Sequence, residues 1–176
     1  MEYMIIGLVL FVLGYVVMIY NRFKSLELQA QAAISNIDVA LAKRYDTLIN
    51  LVEVVKGYAK HESSVFSEVV KARSKALSDM ALADEKQTVA LNNIMALAEA
   101  YPDLKANQNF LHLQKVIADT EEHLQAARRL YNQSIKAFNT SLEVFPSNII
   151  GSAMNLTAKE FYSATSEQKE AIRVNF

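Results

Sequence analysis

The chain has 176 residues, with 18 Lys and Arg against 19 Asp and Glu, which gives a formal net charge of -1. This near-neutral balance lacks the basic excess of a dedicated nucleic-acid-binding protein. The absence of cysteine excludes disulfides, thiolate nucleophiles and Cys-based metal sites. Only 4 Gly and 2 Pro occur, and because both residues interrupt helices, their scarcity predicts long helices.

The N-terminal segment is predicted to cross a lipid bilayer. Residues 4–20 carry no charged side chain, and a spanning helix needs about 20 apolar residues, with a lower limit of about 17. Tyr3, Tyr15 and Tyr20 lie toward the ends, where amphipathic rings favour the headgroup region. A cleaved signal peptide would have a positive N-terminal region and small residues at a cleavage site. Glu2 is the only charge before the run, so we expect a retained anchor.

Lysine and arginine bias predicts the orientation of this anchor. No Lys or Arg precedes the span, whereas Arg22 and Lys24 follow it directly. By the positive-inside rule, the N-terminus lies outside and the large domain lies in the cytoplasm.

Two glycines give the anchor a candidate packing face. Gly7 and Gly14 are seven residues apart and fall on nearly the same side of a helix. One hypothesis is a groove for helix packing and self-association in the membrane. The alternative is composition alone, because glycine is common in membrane helices, and the spacing is not the GxxxG motif.

Helical periodicity continues beyond the anchor. Apolar residues recur at three- and four-residue steps from Ile34 to Ala59, and no helix breaker lies between Tyr20 and Gly57. The first helix is therefore predicted to continue unbroken from the membrane into the domain. A second helical period covers residues 65–76.

The middle of the chain is predicted to contain a turn and a short helix. Ser78-Asp79 and residues 83–85 are interpreted as the turn, and a helix over residues 89–100 follows. Tyr101-Pro102-Asp103 ends this helix, because the residue before proline disfavours helix and proline lacks a donor.

A near-heptad apolar stripe from Phe110 to Phe145 predicts the last long helix, and two short helices are possible around residues 149–156 and 166–172. No alternating β pattern competes. The expected fold is all-α, with an N-terminal transmembrane helix followed by an antiparallel up-and-down helical bundle. The predicted division is an anchor with its flank at residues 1–24, a bundle at 25–146 and a tail at 147–176.

No catalytic, cofactor or metal motif is recognisable. His61-Glu62 does not continue into the H-E-x-x-H of a zinc helix. The Glu-x-x-His of a di-iron bundle fails too, because Asn109 and Thr120 stand three residues before His112 and His123. Surface histidine is the favoured interpretation of all three, and a non-enzymatic protein without a cofactor is expected.

A polar stripe on the last long helix is the more informative feature. It consists of Glu121, Arg128, Asn132 and Asn139, at steps of seven, four and seven. The stripe could be a buried network that fixes helix register, a face for another subunit, or a half-solvated flank. Two asparagines favour the buried network, because asparagine is a poor helix former.

Candidate partners for this stripe lie across the bundle on the first helix. Asp38 and Arg44 are the main candidates, together with Asp46 and Asn50. Asp38 and Arg44 are too far apart along a helix to pair with each other, so any charge partner is expected to be inter-helical.

Several strings make the chain resemble the LemA family over essentially its whole length. The first signature is Asn50-Leu51-Val52, Val55-Lys56-Gly57-Tyr58 and His61-Glu62. The second is longer: Glu99-Ala100-Tyr101-Pro102-Asp103-Leu104-Lys105-Ala106, Phe110-Leu111, Leu113-Gln114, Thr120-Glu121, Ala127-Arg128, Tyr131-Asn132, Phe138-Asn139 and Phe145-Pro146-Ser147-Asn148-Ile149-Ile150. Two positions depart from the family pattern. Ile49 stands where the family usually has proline, and Gly151 where it tends to have alanine.

The resemblance implies a bacterial protein with one N-terminal span in the cytoplasmic (inner) membrane and an antiparallel helical bundle. The biochemical role of the family is poorly defined. Some members are encoded beside membrane metalloproteases, and a magnetosome-associated member exists. From the Gly7/Gly14 face, the continuous first helix and the polar stripe, we expect a non-enzymatic, membrane-anchored scaffold of the cell envelope that self-associates into a homo-oligomer. The alternative is an adaptor or modulator of a membrane protease or another envelope partner.

Overall fold

A computed structural model describes residues 1–59 and 80–162, and these two stretches contain helices and no strand. The helices are α1 (Glu2–Lys56), α2 (Met80–Glu99), α3 (Pro102–Lys105), α4 (Gln108–Glu143) and α5 (Ser147–Ala153). The predicted all-α fold, with a long apolar helix at the N-terminus and a helical bundle, is confirmed.

The described residues fall into two compact units. The first comprises Met1–Ile34 and Arg128–Tyr162, and the second comprises residues 35–59 and 80–127. Helices α1 and α4 each contribute a segment to both units. The sequence-based division at residues 24 and 146 stays a prediction.

Helix α1 is one continuous helix of 55 residues, which confirms the prediction of an unbroken first helix. It contains no proline, so no backbone donor is lost along its length. The helix includes an 18-residue window with a mean hydropathy of 2.4, of which 6% is buried. A core helix of a soluble protein would bury such a window, so α1 carries a segment long and apolar enough to cross a membrane.

The core of the second unit is built by α1, α2 and α4. Fully buried side chains include Leu48, Val55, Ile94 and Phe110. Helix α4 runs opposite to α1, since Tyr58 bonds to Asn107 near the beginning of α4 and Arg44 pairs with Glu121 further along it. Apolar burial of this kind stabilises a helix far more than its intrinsic propensity does.

The predicted turn at residues 83–85 is wrong, because these residues belong to α2, which begins at Met80. The buried positions of α2 recur at three- and four-residue steps through this stretch, and they are Met80, Ala83, Gln87, Ala90, Ile94 and Ala98. Burial of Ala83 in the core therefore outweighs the turn tendency of the neighbouring Asp84. Ser78-Asp79 and the predicted helical segments at residues 65–76 and 166–172 lie outside the described residues.

The break at Tyr101-Pro102 is confirmed. Helix α2 ends at Glu99, and Pro102 becomes the first residue of α3. Proline is tolerated there because the first N–H groups of a helix have no intrahelical acceptor. Helix α4 begins soon afterwards, where the Asn107 side chain accepts hydrogen bonds from the backbone N–H groups of Asn109 and Phe110.

A small aromatic core holds the first unit together. Phe23 of α1 and Phe138 of α4 are both 1% exposed, and their rings meet edge to face with centroids 5.7 Å apart. Gly151 of α5 approaches this core closely. An added Cβ would lie 2.7 Å from Cδ2 of Leu142 and 3.2 Å from Cζ of Phe23, so an alanine at this position would require Leu142 to shift.

Candidate functional site: a buried arginine and an asparagine ladder

The most buried charge pairing of the second unit centres on Arg44 of α1, whose side chain is 3% exposed. Its Nη1 lies 3.1 Å from Oδ1 of Asp84 and 3.1 Å from Oε2 of Glu121. Its Nη2 donates to Oγ1 of Thr88 at 3.0 Å. One guanidinium therefore connects three helices, because Asp84 and Thr88 belong to α2 and Glu121 belongs to α4.

Helical spacing on α2 places two of these partners on one face. Asp84 and Thr88 are four residues apart, and the Thr88 hydroxyl also donates to the Asp84 carbonyl at 2.9 Å. Nearby, Gln87 is 1% exposed, and its Nε2 donates to the Leu41 carbonyl of α1 at 3.2 Å. For the Arg44 ion pairs, the cost of removing the charges from water offsets much of the Coulomb attraction.

The Arg44 cluster is poorly suited to acid–base chemistry. Its charged groups face one another, because a carboxylate oxygen of Asp84 and one of Glu121 each lie 3.1 Å from Nη1 of Arg44. Among residues 1–59 and 80–162, no group of three or more His, Cys, Asp and Glu side chains could hold a metal ion. His112 and His123 are exposed on α4, and His61 lies outside the described residues.

A second polar arrangement, here called the asparagine ladder, consists of Asn132 and Asn139 on α4. Asn139 donates from Nδ2 to the carbonyl of Lys159 at 2.9 Å and accepts from the backbone N–H of Lys159 at 2.9 Å. Asn132 makes the same pair of bonds with Tyr162, at 3.0 and 2.8 Å. Each amide therefore satisfies both main-chain groups of one residue, as a neighbouring β-strand would.

Residues 159–162, here called the docked segment, also make side-chain contacts with the first unit. Nζ of Lys159 lies 2.9 Å from Oε1 of Glu27 and 4.9 Å from the centroid of the Phe138 ring. The Tyr162 ring lies under the Arg128 guanidinium, with 5.6 Å between Cζ and the ring centroid. Lys159 and Tyr162, at the two ends of the docked segment, therefore both contact side chains of the first unit.

The docked segment changes the protonation behaviour of its neighbours. The hydrogen bond from Lys159 is the main cause that lowers the pKa of Glu27, and the hydrogen bond from Lys24 adds to it. The same Lys24–Glu27 bond raises the pKa of Lys24. Burial raises the pKa of Tyr131, with a smaller contribution from the Glu160 charge. The Tyr131 hydroxyl donates to the Glu160 carbonyl at 3.1 Å.

The lowered pKa of Glu27 predicts that acid loosens the docked segment. The ordinary value is 4.5, so the contact is complete above pH 4.5 and is lost as the pH falls through the lower, folded-state pKa. The chain has no tryptophan, so a Tyr162→Trp variant provides a single emission signal. We expect this emission to stay constant from pH 7 to 4.5 and to shift below that. Adding Glu27→Gln should remove the shift, and an unchanged titration would contradict the assignment.

The structure distributes the sequence-predicted polar residues over both units. Arg44 and Glu121 are brought together in the second unit. Three others lie in the first unit. Asn132 and Asn139 form hydrogen bonds with the main chain of the docked segment, and Arg128 lies over the ring of Tyr162. The remaining candidates are exposed on α1, and these are Asp38, Asp46, Asn50, Gly7 and Gly14. An added Cβ at Gly7 or Gly14 would meet no atom within 4 Å.

Several functional partners were missed by sequence reasoning. Asp84 falls in the incorrectly predicted turn and Thr88 lies one residue before the helix predicted over residues 89–100, although their four-residue spacing is typical of a helix face. Lys159 and Tyr162 belong to an irregular stretch, which has no periodic signal. Their distance along the chain from Asn132 and Asn139 is 20 to 30 residues, so no local pattern predicts the contact.

Comparison with known proteins identifies one family profile and several relatives. A profile described as the LemA family matches residues 33–176. Protein LemA of Metamycoplasma hominis is 28% identical over 145 residues, which cover 78% of this chain and 65% of the relative. Magnetosome protein MamQ of Magnetospirillum gryphiswaldense is 23% identical over 174 residues, which cover 81% of this chain and 64% of the relative. Magnetosome protein MamQ 1 of Paramagnetospirillum magneticum is 24% identical with the same coverage.

The chain thus spans about two thirds of the length of these relatives, at 64 to 65%. Together with the apolar segment of α1, the comparisons indicate a membrane-associated helical protein.

Proposed function

The chain belongs to the LemA family, and from that premise we propose that it is a non-enzymatic, membrane-anchored helical scaffold of the bacterial cell envelope that self-associates. The observation that carries the proposal is the contrast along α1. Its N-terminal section exposes nearly all of its apolar side chains, whereas the same helix further on supplies Leu48, Leu51 and Val55, each 0% exposed, to the core of the second unit. Exposed apolar area of this extent is unfavourable in water and favourable in lipid.

The polar groups of the bundle support a structural role over chemistry. Arg44 is engaged by two carboxylates and a hydroxyl, and the asparagine ladder is engaged by backbone groups. Catalytic side chains must reach a substrate within hydrogen-bond distance. These side chains instead reach the chain itself, so they serve to fix helix and segment positions.

The Gly7/Gly14 face supports the membrane as the place of self-association. An added Cβ at either glycine would meet no atom within 4 Å, so a neighbouring helix could approach α1 closely at these two positions. Small residues allow the backbones of two membrane helices to approach closely and to pack. A second copy of α1 is the partner whose span matches this one in length.

The test is the mass of the full-length protein extracted from its native membrane with minimal detergent. We expect a uniform assembly larger than a monomer, and we expect replacement of both Gly7 and Gly14 by leucine to reduce it to monomers, because the added side chains separate the helices. The matched control replaces Val9 and Val16 by leucine, since these residues have the same seven-residue spacing on the opposite face of the helix.

A monomeric wild-type protein would overturn self-association. Equal masses for the glycine and valine variants would leave the assembly intact but would reject this face as its origin. A monomer that co-purifies with a membrane protease would favour the adaptor function instead.

We further propose that the N-terminus lies outside the cytoplasmic membrane and the bundle inside, as Arg22 and Lys24 favour. The cysteine-free chain allows a clean test with the single substitutions Glu2→Cys and Ser152→Cys. A membrane-impermeant maleimide should label the Glu2→Cys variant in intact cells and should label Ser152→Cys only after permeabilisation. The reverse pattern would invert the orientation.

A further inference from the structure

The docked segment is held by a mode of recognition that does not depend on most of its side chains. All four hydrogen bonds of the asparagine ladder go to main-chain N–H and carbonyl groups. Such groups are present in any peptide, whatever its sequence, except where proline removes a donor. The asparagine ladder therefore binds the main chain of a peptide, as the edge of a β-sheet does when a peptide pairs with it as an additional strand.

The spacing of the ladder fits an extended peptide. Asn132 and Asn139 are seven residues apart, which is about 10.5 Å along a helix. Their partners Lys159 and Tyr162 are three residues apart, which is roughly 10 Å in a fully extended chain. Because Asn139 binds the earlier residue and Asn132 the later one, the docked segment runs opposite to α4. A helical segment would span only about 4.5 Å over three residues and could not reach both amides.

Side-chain selectivity is confined to the two ends of the docked segment. The Lys159 ammonium contacts the carboxylate of Glu27 and the ring face of Phe138. Tyr162 presents its ring to the guanidinium of Arg128. Between them, Glu160 and Phe161 are exposed, so these positions tolerate other residues.

We propose that this face of the first unit is a peptide-binding site for extended segments with lysine at the first position and an aromatic residue at the fourth, and that residues 159–162 occupy it in cis. The chemistry that recognises the ligand is a pair of carboxamides for the main chain, a carboxylate for the lysine and a guanidinium for the ring. A peptide supplied in trans competes with the tethered segment, which has an effective concentration in the millimolar range. The site goes beyond the scaffold role and holds whether or not the chain self-associates.

The test uses full-length protein in lipid nanodiscs and a fluorescent, terminally capped peptide with the sequence of residues 156–162. In the host protein, Lys159→Glu weakens the tethered segment, because it places a carboxylate against Glu27. We expect saturable binding of the native-sequence peptide to this host, at least about tenfold tighter than to the wild-type chain, since the tethered competitor is weakened. Fluorescence anisotropy measures the affinity.

Matched substitutions separate the ladder from nonspecific adsorption. In the same host, Asn132→Ala with Asn139→Ala removes all four main-chain bonds and should weaken peptide binding at least about tenfold. The control pair Gln133→Ala and Thr140→Ala changes the exposed neighbours of the two asparagines and should leave the affinity unchanged. Equal affinity for the ladder and control variants, or the absence of saturable binding to the host, would overturn the proposal.

A charge exchange gives a second measurement that does not rely on loss of binding. A Glu27→Lys host should prefer a peptide in which glutamate replaces the lysine equivalent to Lys159, by at least about fivefold over the native sequence. The Lys159→Glu host, which keeps Glu27, should show the opposite preference. Identical preferences in the two hosts would reject the assigned specificity. Because the readout is peptide affinity and not particle mass, failure here is distinguishable from failure of the scaffold function.

Discussion

Replacement of Arg44 by alanine is expected to destabilise the bundle by about 3 kcal/mol, the cost of breaking a buried ion pair by removing one partner. The loss arises because Asp84 and Glu121 stay close together without the guanidinium that lies 3.1 Å from each. Repulsion and incomplete hydration of these carboxylates outweigh the small intrinsic helix preference of alanine. For a chain of this size, about 3 kcal/mol lowers the unfolding midpoint by roughly 6 to 12 °C.

Thermal unfolding of the full-length protein, followed by circular dichroism in detergent micelles, measures this effect. Arg129→Ala is the control, since Arg129 is exposed on α4 and a surface change is typically within about 0.5 kcal/mol. The triple replacement of Arg44, Asp84 and Glu121 by apolar residues should recover much of the loss, because it removes all three desolvated charges. If the Arg44→Ala variant had the same unfolding midpoint as the Arg129→Ala control, the cluster would contribute nothing to stability.

Phe138→Ala is expected to cost about 3 to 4 kcal/mol, as truncation of a buried aromatic side chain does. Phe138 is 1% exposed, packs edge to face on Phe23 and lies under the Lys159 ammonium. Its removal leaves a cavity between α1 and α4 and also withdraws one of the two side-chain contacts of the Lys159 ammonium, the other being Glu27. The variant should therefore loosen the docked segment as well as the core.

The control for this prediction is Phe145→Ala. Phe145 is 79% exposed, so this substitution removes the same kind of ring from the surface. Chemical denaturation gives the difference in stability, and the emission of a Tyr162→Trp reporter gives the state of the docked segment. We expect both signals to change for Phe138→Ala and neither to change for Phe145→Ala. Equal stability of the two variants would mean that the aromatic core is not a determinant of the first unit.

The helices could be predicted in advance because their signals are local. A run of apolar residues at positions 4–20 and the absence of a breaker up to Gly57 suffice for α1. The stripe that begins at Phe110 suffices for α4, and the X-Pro pair at residues 101–102 suffices for the end of α2. Each depends on neighbours within one or two helical turns, which the sequence displays directly. The one clear error, the turn at residues 83–85, arose where burial of Ala83 overrode a local tendency.

The sequence by itself determined the all-α fold, the apolar N-terminal segment and the polar character of the α4 stripe, since periodicity and composition are properties of short windows. Only the tertiary structure decided the partners. Arg44 pairs with Glu121. Asn139 and Asn132 bind the backbone of Lys159 and Tyr162, which lie 20 and 30 residues further along the chain. The physical reason is that main-chain groups carry no sequence signature. Which amide meets which carbonyl is therefore set by the path of the folded chain.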